Sequence, residues 1–399
     1  MKLEETELLI VGCGPSGATA AREAARAGIA TVVLDKDAVV GQKRVCAAGL
    51  RPGFCEEFDL PRAVVHCDTP RLALFDPAGH EYEVMFGPGH TSTREEFDGT
   101  MARLAVEAGA ELRTQALMRE VRRDGDATLV EYADLRSGER RSIRARSVFL
   151  AQGATAKLER GGFADARWND GLMTTLQYRV YLDRPAAAVA YRTLELHYYP
   201  AADGRTIVAW MFPKRDHLAI GLGLTGKLDG RALRAELDRF TERVRGRLYP
   251  DAAVVRVKEE GHLLYGGWPR ARFADEAVML GGTAAGLVDA TNGEGIYEAA
   301  MSGRFAAEAL IGHRENPRAA AVRYAERLAA RFKRRLEHRV RLMRYLEAKP
   351  ARYALLFDQL SRSRAFSDAL QREDHERTLR DRLVLYANAA RFGMRASFA

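Results

Sequence analysis

The amino-acid sequence predicts an α/β fold, α+β overall, in which a parallel-sheet domain is combined with an antiparallel sheet and a C-terminal helical region. Three observations predict it: a strand, glycine loop and helix near the N-terminus, short β-rich segments in the middle, and helical periodicity towards the end. The 399 residues, 47% hydrophobic and 29% charged, suffice for two or three globular domains. No apolar run reaches the roughly 18 residues of a membrane-spanning helix, and the N-terminus is unlike a signal peptide. We therefore expect a cytoplasmic protein.

The first element of this fold is encoded by ELLIVGCGPSG. An apolar strand ending at Val11 enters Gly12-x-Gly14-x-x-Gly17, and an alanine-rich helix follows to Gly28. Gly12 permits a tight turn, Gly14 lets the backbone approach a pyrophosphate, and Gly17 lets the helix pack closely on the strand. The N–H groups and positive dipole end of the helix then face the phosphates. The segment predicts a Rossmann-like dinucleotide site.

Two further segments extend this site. The strand ATVVLD ends at Asp35, at the distance from the glycines where an acidic residue binds the ribose hydroxyls. Far along the chain, the strand Ala277 to Leu280 opens into GGTAAG and NGEG before a long helix that ends near Gly312. Such a loop can bring backbone N–H groups against a second phosphate or a flavin ring. A glycine-punctuated loop over 42–54 stands where a simple NAD dehydrogenase would continue with a strand, which favours FAD.

These motifs resemble known flavoproteins. GCGPSGA, VLD, the Arg94 of STREEFD, GGTAAG and NGEGI resemble the FAD-binding segments of the p-hydroxybenzoate-hydroxylase-like superfamily. VCAAGLRPGFCEEFDLP and Trp-x-Phe-Pro-x7-Gly-x-Gly resemble the geranylgeranyl reductase family, and the resemblance spans 5–312. The cofactor-binding residues that it implies are Gly12, Gly14, Pro15, Ser16, Gly17, Asp35, Lys36, Cys46, Gly49, Arg94, Gln152, Gly153, Gly282, Thr283, Gly286, Gly293, Gly295 and Ile296. The chain departs from the family at Thr283 and Gln152, which replace aspartates, and at Val208, which replaces a tyrosine.

The predicted domains are discontinuous. The FAD-binding domain takes 1–75, 90–160 and 268–315, the antiparallel-sheet substrate or cap domain takes 76–89 and 161–267, and the helical region takes 316–399. The middle part contains the β-rich segments LMTTLQYRVYLD, TLELHYYP, RTIVAWMFP, HLAIGLGL and AVVRVKEEGHLL, separated by turns. We expect this sheet to form the roof of the active site.

The segment GLGLTG in this sheet formally repeats the GxGxxG pattern. It lacks an acidic residue about 20 positions further on, and the next helix starts late, with Asp229 as the expected cap. We therefore interpret it as a strand that Gly221 and Gly223 keep free of side chains, so that a flat ring or chain can lie against it.

The resemblance places the substrate and the chemistry beside this strand. Trp210 and Phe212 lie on one strand face, as wall residues or as ordinary core aromatics. The expected substrate-binding residues are Trp210, Phe212, Pro213, Gly221, Gly223 and Tyr198. Only one of the adjacent Tyr198 and Tyr199 should point inward, and the sequence does not decide which. The expected catalytic residues are Cys46, Trp210 and Phe212. Lys43 and Arg44 precede Cys46, and positive charge favours a thiolate; the alternative is a small buried hydrophobe. The cysteine spacing fits no zinc site, and we expect no metal.

The resemblance implies an FAD-dependent reductase of carbon–carbon double bonds in a prenylated small molecule or lipid, with NADPH or a ferredoxin-like protein as the reductant. The alternatives are an FAD monooxygenase or halogenase, and a non-catalytic electron-transfer flavoprotein. The net charge of +8 would suit an acidic donor protein or an anionic membrane. The basic helices of 316–350 carry an apolar stripe at helical spacing, formed by Val322, Leu328, Phe332, Leu336, Val340 and Met343. They either pack on their own protein through this stripe or lie on such a membrane. Interleaved acids and the lack of an aromatic stacking platform argue against nucleic acid.

Overall fold

The computed structural model describes residues 3–42, 45–154, 163–184, 190–226, 229–372 and 376–398. The chain divides into two compact units. Unit 1 comprises Met1–Gln42, Arg94–Leu172 and Tyr265–His338, and unit 2 comprises Lys43–Thr93, Met173–Leu264 and Arg339–Ala399.

Unit 1 is built on a largely parallel sheet. Its strands are β1 (Glu4–Val11), β2 (Thr31–Leu34), β6 (Glu111–Arg113), β7 (Ala116–Asp124), β8 (Ala127–Asp134), β9 (Arg140–Leu150), β15 (Ala274–Asp275) and β16 (Val278–Leu280). The order is β15-β16-β9-β1-β2-β6; the pairs within β16-β9-β1-β2-β6 are parallel, and the hairpin of β7 and β8 extends from β9. Leu8, Leu9 and Ile10 are fully buried, as expected for a parallel strand covered on both faces.

Helices flank this sheet. They are α1 (Pro15–Arg26), α3 (Arg94–Glu107), α5 (Ile296–Gly312) and α6 (Pro317–Leu328), and a π-helical turn over Ala329–Lys333 leads into α7 (Arg334–Glu347). Helix α1 packs on α5 and α3, which brings the first glycine loop beside the start of the late helix. The predicted strand–loop–helix at each end of this unit is confirmed.

Unit 2 contains a second sheet. Its strands are β3 (Gly49–Leu50), β4 (Cys67–Phe75), β5 (Glu81–Thr91), β10 (Leu172–Leu182), β11 (Thr193–Pro200), β12 (Thr206–Pro213), β13 (Leu218–Thr225) and β14 (Val254–Tyr265), in the order β14-β10-β13-β12-β11-β4-β5-β3. Neighbours from β10 to β11 and from β4 to β3 pair antiparallel, whereas β11 and β4 run parallel. The short α2 (Phe54–Glu57) follows β3.

The two faces of this sheet are covered by different helices. Helix α4 (Gly230–Leu248) packs Leu233, Leu237 and Phe240 onto one face. The other face carries Trp210 and Phe212 and packs against the C-terminal part of the chain. That part comprises the end of α7, then α8 (Ala351–Arg362), α9 (Arg364–Gln371) and α10 (Leu379–Phe398).

These units differ from the predicted domains mainly in two segments, with smaller shifts at 90–93, 163–172 and 265–267. The segment 45–75, assigned to the FAD-binding domain, contributes β4 to the antiparallel sheet through its pairing with β11. The end of the helical region, from Arg339, belongs to unit 2 because its apolar side chains pack on the aromatic sheet face. In the helical stripe expected over 316–350, Leu328, Phe332, Leu336, Val340 and Met343 are buried, whereas Val322 is exposed.

Candidate functional site

The first glycine loop is held by close backbone contacts. A Cβ on Gly12 would lie 2.4 Å from the carbonyl oxygen of Ala151, and Gly12 has a φ of +98°. A Cβ on Gly17 would lie only 1.8 Å from the carbonyl oxygen of Gly12. Neither backbone atom can move away without displacing β9 or the loop itself, so these two positions require glycine.

The N-terminus of α1 lacks a side-chain cap among the described residues. Gly14 is its N-cap and Pro15 follows. The Arg94 guanidinium reaches this loop, with Nη2 3.9 Å from where a Cβ of Gly14 would be. Arg94 is oriented by two hydrogen bonds to Asp98, of 2.8 and 2.6 Å. The N–H groups of this helix end, its dipole and a positioned guanidinium together fit a pyrophosphate.

Asp35 lies beside this loop at the end of β2. Its Oδ2 accepts a hydrogen bond from the backbone N–H of Cys13 at 2.7 Å, and its Oδ1 accepts one from Asp37 at 2.9 Å. Because each carboxylate oxygen has further acceptor capacity, a ribose hydroxyl can still bind there. The neighbouring Lys36 is exposed.

Gln152 carries an unsatisfied buried atom next to the same turn. Its Oε1 has no hydrogen-bond partner among the described residues, and its Cα lies 3.2 Å from where a Cβ of Gly12 would be. A buried acceptor without a partner costs about 1–3 kcal/mol, so a ligand donor here would relieve that cost. Gly153 follows with a φ of +77°. The neutral amide that replaces the family's aspartate therefore still offers an acceptor to a cofactor hydroxyl.

The second loop is tied to the first through a pair of serines. Ser16 Oγ lies 2.8 Å from Ser302 Oγ, which accepts a hydrogen bond of 3.0 Å from the N–H of Gly282. The Ser16 hydroxyl, expected to bind the cofactor, thus has a partner within the protein. Thr283 is half-buried in the 3-10 turn Gly282–Ala285.

Tight glycines and open glycines alternate in the rest of the second loop. A Cβ on Gly286 would lie 2.9 Å from backbone atoms of 268–269. Gly293 has a φ of +75° and no described atom within 4 Å of its Cβ position, Gly295 is the N-cap of α5, and Ile296 begins that helix. A Cβ on Gly295 would lie 3.1 Å from the carbonyl oxygen of Leu287, so the open space lies beside Gly293, where it is compatible with a flavin or phosphate.

The aromatic wall lies in unit 2. Trp210, Phe212 and Tyr198 are buried in one apolar cluster. The Trp210 indole N–H donates to Gln177 Oε1 at 2.9 Å, and the Gln177 amide in turn donates to Glu260 at 3.1 Å. This chain of hydrogen bonds fixes the orientation of the indole.

Gly221 and Gly223 contact this wall rather than open space. A Cβ on Gly221 would lie 2.3 Å from Cζ2 of Trp210, and one on Gly223 would lie 2.9 Å from Cγ2 of Thr175. The flat ring against Gly221 is therefore the indole of Trp210, which corrects the expectation that a ligand lies there. The segment is a central strand paired on both sides, and Asp229 caps α4 by accepting from the Ala232 N–H at 3.3 Å.

Cys46 lies in a tightly folded loop of unit 2. Its half-buried Sγ accepts a hydrogen bond from the Ala48 N–H at 3.3 Å, and Ala48 has a φ of +45°, a strained value for a residue with a Cβ. A Cβ on Gly49 would lie 2.9 Å from the Phe212 ring, so Gly49 contacts the aromatic wall. Lys43 and Arg44, expected to act on this thiol, lie outside the described residues.

Lys214, directly after Trp-x-Phe-Pro, was missed by the sequence analysis. It is 1% exposed, its Nζ donates to the carbonyl oxygen of Ala47, and the same atom lies 5.8 Å from the Phe212 ring centroid. Burial lowers the pKa of Lys214 from 10.5 to about 7, and interaction with Cys46 and Cys67 opposes part of that shift. A lysine in a turn is normally exposed. The only feature of the sequence that pointed to a role for Lys214 was its place directly after the Trp-x-Phe-Pro motif.

The C-terminal helices complete the wall. Tyr198 stacks on Tyr353 with a centroid distance of 5.1 Å and packs against Phe357, both from α8. Tyr199 points the other way, 6.3 Å from the Phe240 ring of α4. Tyr198 is thus the tyrosine on the Trp210 face.

Metal binding and membrane crossing can both be judged from the described residues. Within the described residues, no group of three or more His, Cys, Asp or Glu side chains is arranged to hold a metal ion. In that same part of the chain, every helix is too short or too polar to cross a membrane. All four cysteines are free thiols.

Comparison with known proteins identifies both the cofactor domain and the relatives. The FAD binding domain family matches residues 5–54. The chain is 31% identical to digeranylgeranylglycerophospholipid reductase 1 of Methanopyrus kandleri, over 77% of this chain and 80% of that one. It is 27% identical to geranylgeranyl diphosphate reductase of Rhodobacter capsulatus, over 80% and 78%.

Solved structures show the same fold. A geranylgeranyl bacteriochlorophyll reductase-like protein of Thermoplasma acidophilum superposes with a TM-score of 0.74 at 22% identity, covering 97% of this chain and 96% of the other. Flavin-dependent halogenases and monooxygenases share the fold at TM-scores up to 0.67.

Proposed function

The chain belongs to the geranylgeranyl reductase family of FAD-dependent oxidoreductases, and on that premise we propose that it saturates carbon–carbon double bonds of a geranylgeranyl or other polyprenyl chain. The observation that carries the proposal is the identity to reductases of geranylgeranyl lipids and diphosphates over about three quarters of the chain. The substrate class is a hydrophobic prenylated small molecule or lipid.

Unit 1 supplies the residues proposed to hold FAD. The N-terminus of α1 and the backbone of Gly14 would bind the pyrophosphate, with Arg94 beside them and Asp35 on the ribose. The unsatisfied Oε1 of Gln152 would accept a hydrogen bond from a cofactor hydroxyl. FAD, once reduced, supplies the hydride that saturation of a double bond requires.

Unit 2 supplies the proposed substrate wall. Trp210, Phe212 and Tyr198 are buried in an apolar cluster whose rings are fixed by packing and by the hydrogen bond from Trp210 to Gln177. The proposed polyprenyl chain would lie along the edge of this cluster, whose apolar side chains exclude water. An isolated alkene needs such a dry site because no carbonyl shares its developing charge. Val208, only partly buried at the edge of this cluster, leaves more room than the family's tyrosine.

The second carbon of the double bond must gain a proton, and we propose that Cys46 serves this step. The N–H of Ala48 orients its Sγ. Lys214 Nζ donates a hydrogen bond to the carbonyl oxygen of Ala47, the residue after Cys46. Because the pKa of Lys214 is about 7, this amine can exchange protons at neutral pH. Cys46→Ala should lower turnover or alter the pattern of saturated bonds. Cys55→Ala, in the separate short helix α2, is the control; unchanged turnover and products in Cys46→Ala would remove the thiol from the mechanism.

The reductant and location are proposed from the charge of the chain and the state of its cysteines. GLGLTG, the second GxGxxG match of the sequence, forms a strand and not a loop before a helix. This supports a reductant without a Rossmann site of its own: either NADPH that binds transiently or a ferredoxin-like protein that donates electrons. The net charge of +8 suits an acidic donor. Four free thiols suit the reducing cytoplasm, at the membrane face where prenyl lipids lie. Anaerobic flavin bleaching by NADPH or by reduced ferredoxin distinguishes the donors.

The decisive experiment is anaerobic incubation of the chemically reduced holoenzyme with geranylgeranyl diphosphate and with geranylgeranyl lipids, followed by mass spectrometry. The expected result is a mass gain of one H₂ for each double bond saturated. A product formed only when O₂ is admitted would instead indicate a monooxygenase or halogenase, whose fold the chain shares. Flavin reoxidation by an acceptor protein without any change in a prenyl compound would indicate an electron-transfer flavoprotein.

A further inference from the structure

Helix α10 of unit 2 exposes large apolar side chains on one face. Leu379 is 75% exposed, Leu383 61% and Tyr386 76%. Their spacing of four and then three residues places them on one side of a helix. Each is more exposed than any other large apolar side chain of the described residues except Val255, and only here do three such residues share a helix face.

The inner face of the same helix is partly polar. Asp381 is buried; it accepts two hydrogen bonds of 2.8 Å from Thr378 and one of 2.6 Å from Arg372. Asn388 is also buried and its side chain donates to the carbonyl oxygen of Val384 at 2.8 Å. A helix that faces only water on its outer side has the opposite arrangement, with apolar residues inward. The outward leucines and tyrosine therefore indicate a second apolar surface.

The exposed charges described on α10 itself are positive, whereas Glu376 is an exposed acidic residue just before the helix. Arg380, Arg382 and Arg391 are exposed. The one acidic residue of α10, Asp381, is buried and paired with Arg372. An apolar face bordered by arginines is the pattern of a helix that lies in the plane of an anionic lipid surface. A protein partner would need an apolar patch with acidic borders, whereas anionic lipid provides both features everywhere.

The same helix also reaches the proposed substrate wall. Phe392 packs against the apolar cluster that contains Trp210 and Tyr198, and it contacts Tyr345 of α7 at a ring distance of 5.9 Å. The surface that would touch lipid is therefore only one helix away from the side chains proposed to bind the prenyl chain, within one compact unit.

We propose that α10 docks the protein on an anionic lipid bilayer, with Leu379, Leu383 and Tyr386 inserted below the headgroups and the arginines on the phosphates. The biological use of this docking, access to prenyl chains dissolved in the membrane, depends on the proposed function; the binding itself does not.

The test is flotation of the FAD-loaded protein with vesicles of phosphatidylcholine alone and of phosphatidylcholine with phosphatidylglycerol. The wild-type protein should float with the anionic vesicles and far less with the neutral ones. The variant Leu379→Gln/Leu383→Gln/Tyr386→Ser should lose at least about tenfold in partition. Arg380→Gln/Arg382→Gln should lose binding mainly at low salt, because salt screens exposed charges.

A matched control is Val255→Gln/Val257→Gln, which removes exposed apolar side chains from strand β14 of the same unit. It should float like the wild type. Equal thermal midpoints and flavin content in all variants exclude unfolding as the cause of any loss. The proposal is overturned if the triple variant floats as well as the wild type, or if the wild type does not float. A wild-type dimer that the triple variant converts to monomer, without vesicle binding, would instead identify a second copy as the occupant.

Turnover separates this proposal from the proposed function. With water-dispersed geranylgeranyl diphosphate, the triple variant should retain wild-type turnover, and with vesicle-embedded substrate it should lose most of it. Flotation without turnover of any prenyl compound would refute the proposed function and leave the docking surface standing. Turnover of embedded substrate that is equal in wild type and triple variant would refute the use of α10 for access.

Discussion

Residues 12–17 and 221–226 carry the same glycine spacing, yet the missing side chains serve different purposes in the two places. In unit 1 the spaces beside Gly12 and Gly17 are occupied by backbone atoms of Ala151 and Gly12. In unit 2 the space beside Gly221 is occupied by the ring of Trp210. A carbonyl within a sheet or turn cannot move without the element it belongs to, whereas a side chain can adopt another rotamer.

The comparison shows that a glycine pattern records only where a Cβ is excluded. Its function depends on the element to which the glycines belong. The first segment leads into a helix that has no side-chain cap among the described residues. The second segment is an antiparallel strand, and the ring of Trp210 from the neighbouring strand β12 fills the space beside Gly221. The first loop carries the backbone N–H groups that we propose bind the cofactor, and the second segment packs against the indole of Trp210.

The largest effect is expected from Gly17→Ala in unit 1. A methyl group 1.8 Å from the Gly12 carbonyl oxygen would separate α1 from β1, and we expect the free energy of unfolding to fall by more than about 4 kcal/mol, with loss of bound flavin. Urea denaturation and visible flavin absorbance measure both effects. Gly99→Ala is the control, since no described atom lies within 4 Å of that Cβ position, and it should gain about 0.5–1 kcal/mol. A stable, yellow Gly17→Ala protein would contradict this account.

The next largest effect concerns Lys214, in the turn before the second glycine segment. Its folded pKa of about 7 lies below the ordinary lysine value of 10.5, so the unfolded chain binds more protons between these pH values and stability should rise with pH across this window. Lys214→Met should remove this slope. The free-energy difference between variant and wild type should therefore change by about 4 kcal/mol from pH 6.5 to 10.5, favouring the variant at the lower pH.

Lys349→Met, at an exposed lysine, is the control and should leave the slope unchanged. Urea midpoints measured at several pH values provide the comparison. If Lys214→Met kept the wild-type slope, the amine would not be buried as the structure shows, and its proposed part in proton exchange would fail with it.

The surroundings of Gly17 could be predicted from the sequence, whereas those of Lys214 could not. The strand, glycines, helix and Asp35 lie close together in the chain and follow local rules, as does the Asp229 cap, and all were predictable. The burial of Lys214 depends on Ala47, 167 positions away, and no local pattern encodes that contact. The pairing of β4 with β11 is equally non-local, which is why the domain boundary at 75 differs from the compact units.

A smaller effect is expected from Gly221→Ala in unit 2. The new methyl would lie 2.3 Å from the Trp210 ring, which must turn and release its hydrogen bond to Gln177. We expect a loss of about 1–3 kcal/mol and a shift in tryptophan fluorescence. Adding Trp210→Phe should recover part of the stability because the smaller ring leaves room, and a double-mutant cycle measures the coupling. Gly246→Ala, in open space on α4, is the control. Coupling near zero would mean that Gly221 does not support the indole.

The smallest change in stability is expected from Gly14→Ser, which places a helix cap where the first glycine loop has none within the described residues. The Cβ would make only an ordinary contact, 3.9 Å from Arg94 Nη2, and a serine hydroxyl can accept from the first-turn N–H groups. The flavin-free protein should gain about 0.5 kcal/mol, while FAD affinity falls because serine and pyrophosphate compete for the same donors. Asp229→Ala, which removes the cap of α4, should lose about 1 kcal/mol and calibrates the contribution of a cap in this chain. Calorimetry of FAD binding decides the point, since unchanged affinity in Gly14→Ser would show that the N-terminus of α1 is not the phosphate site.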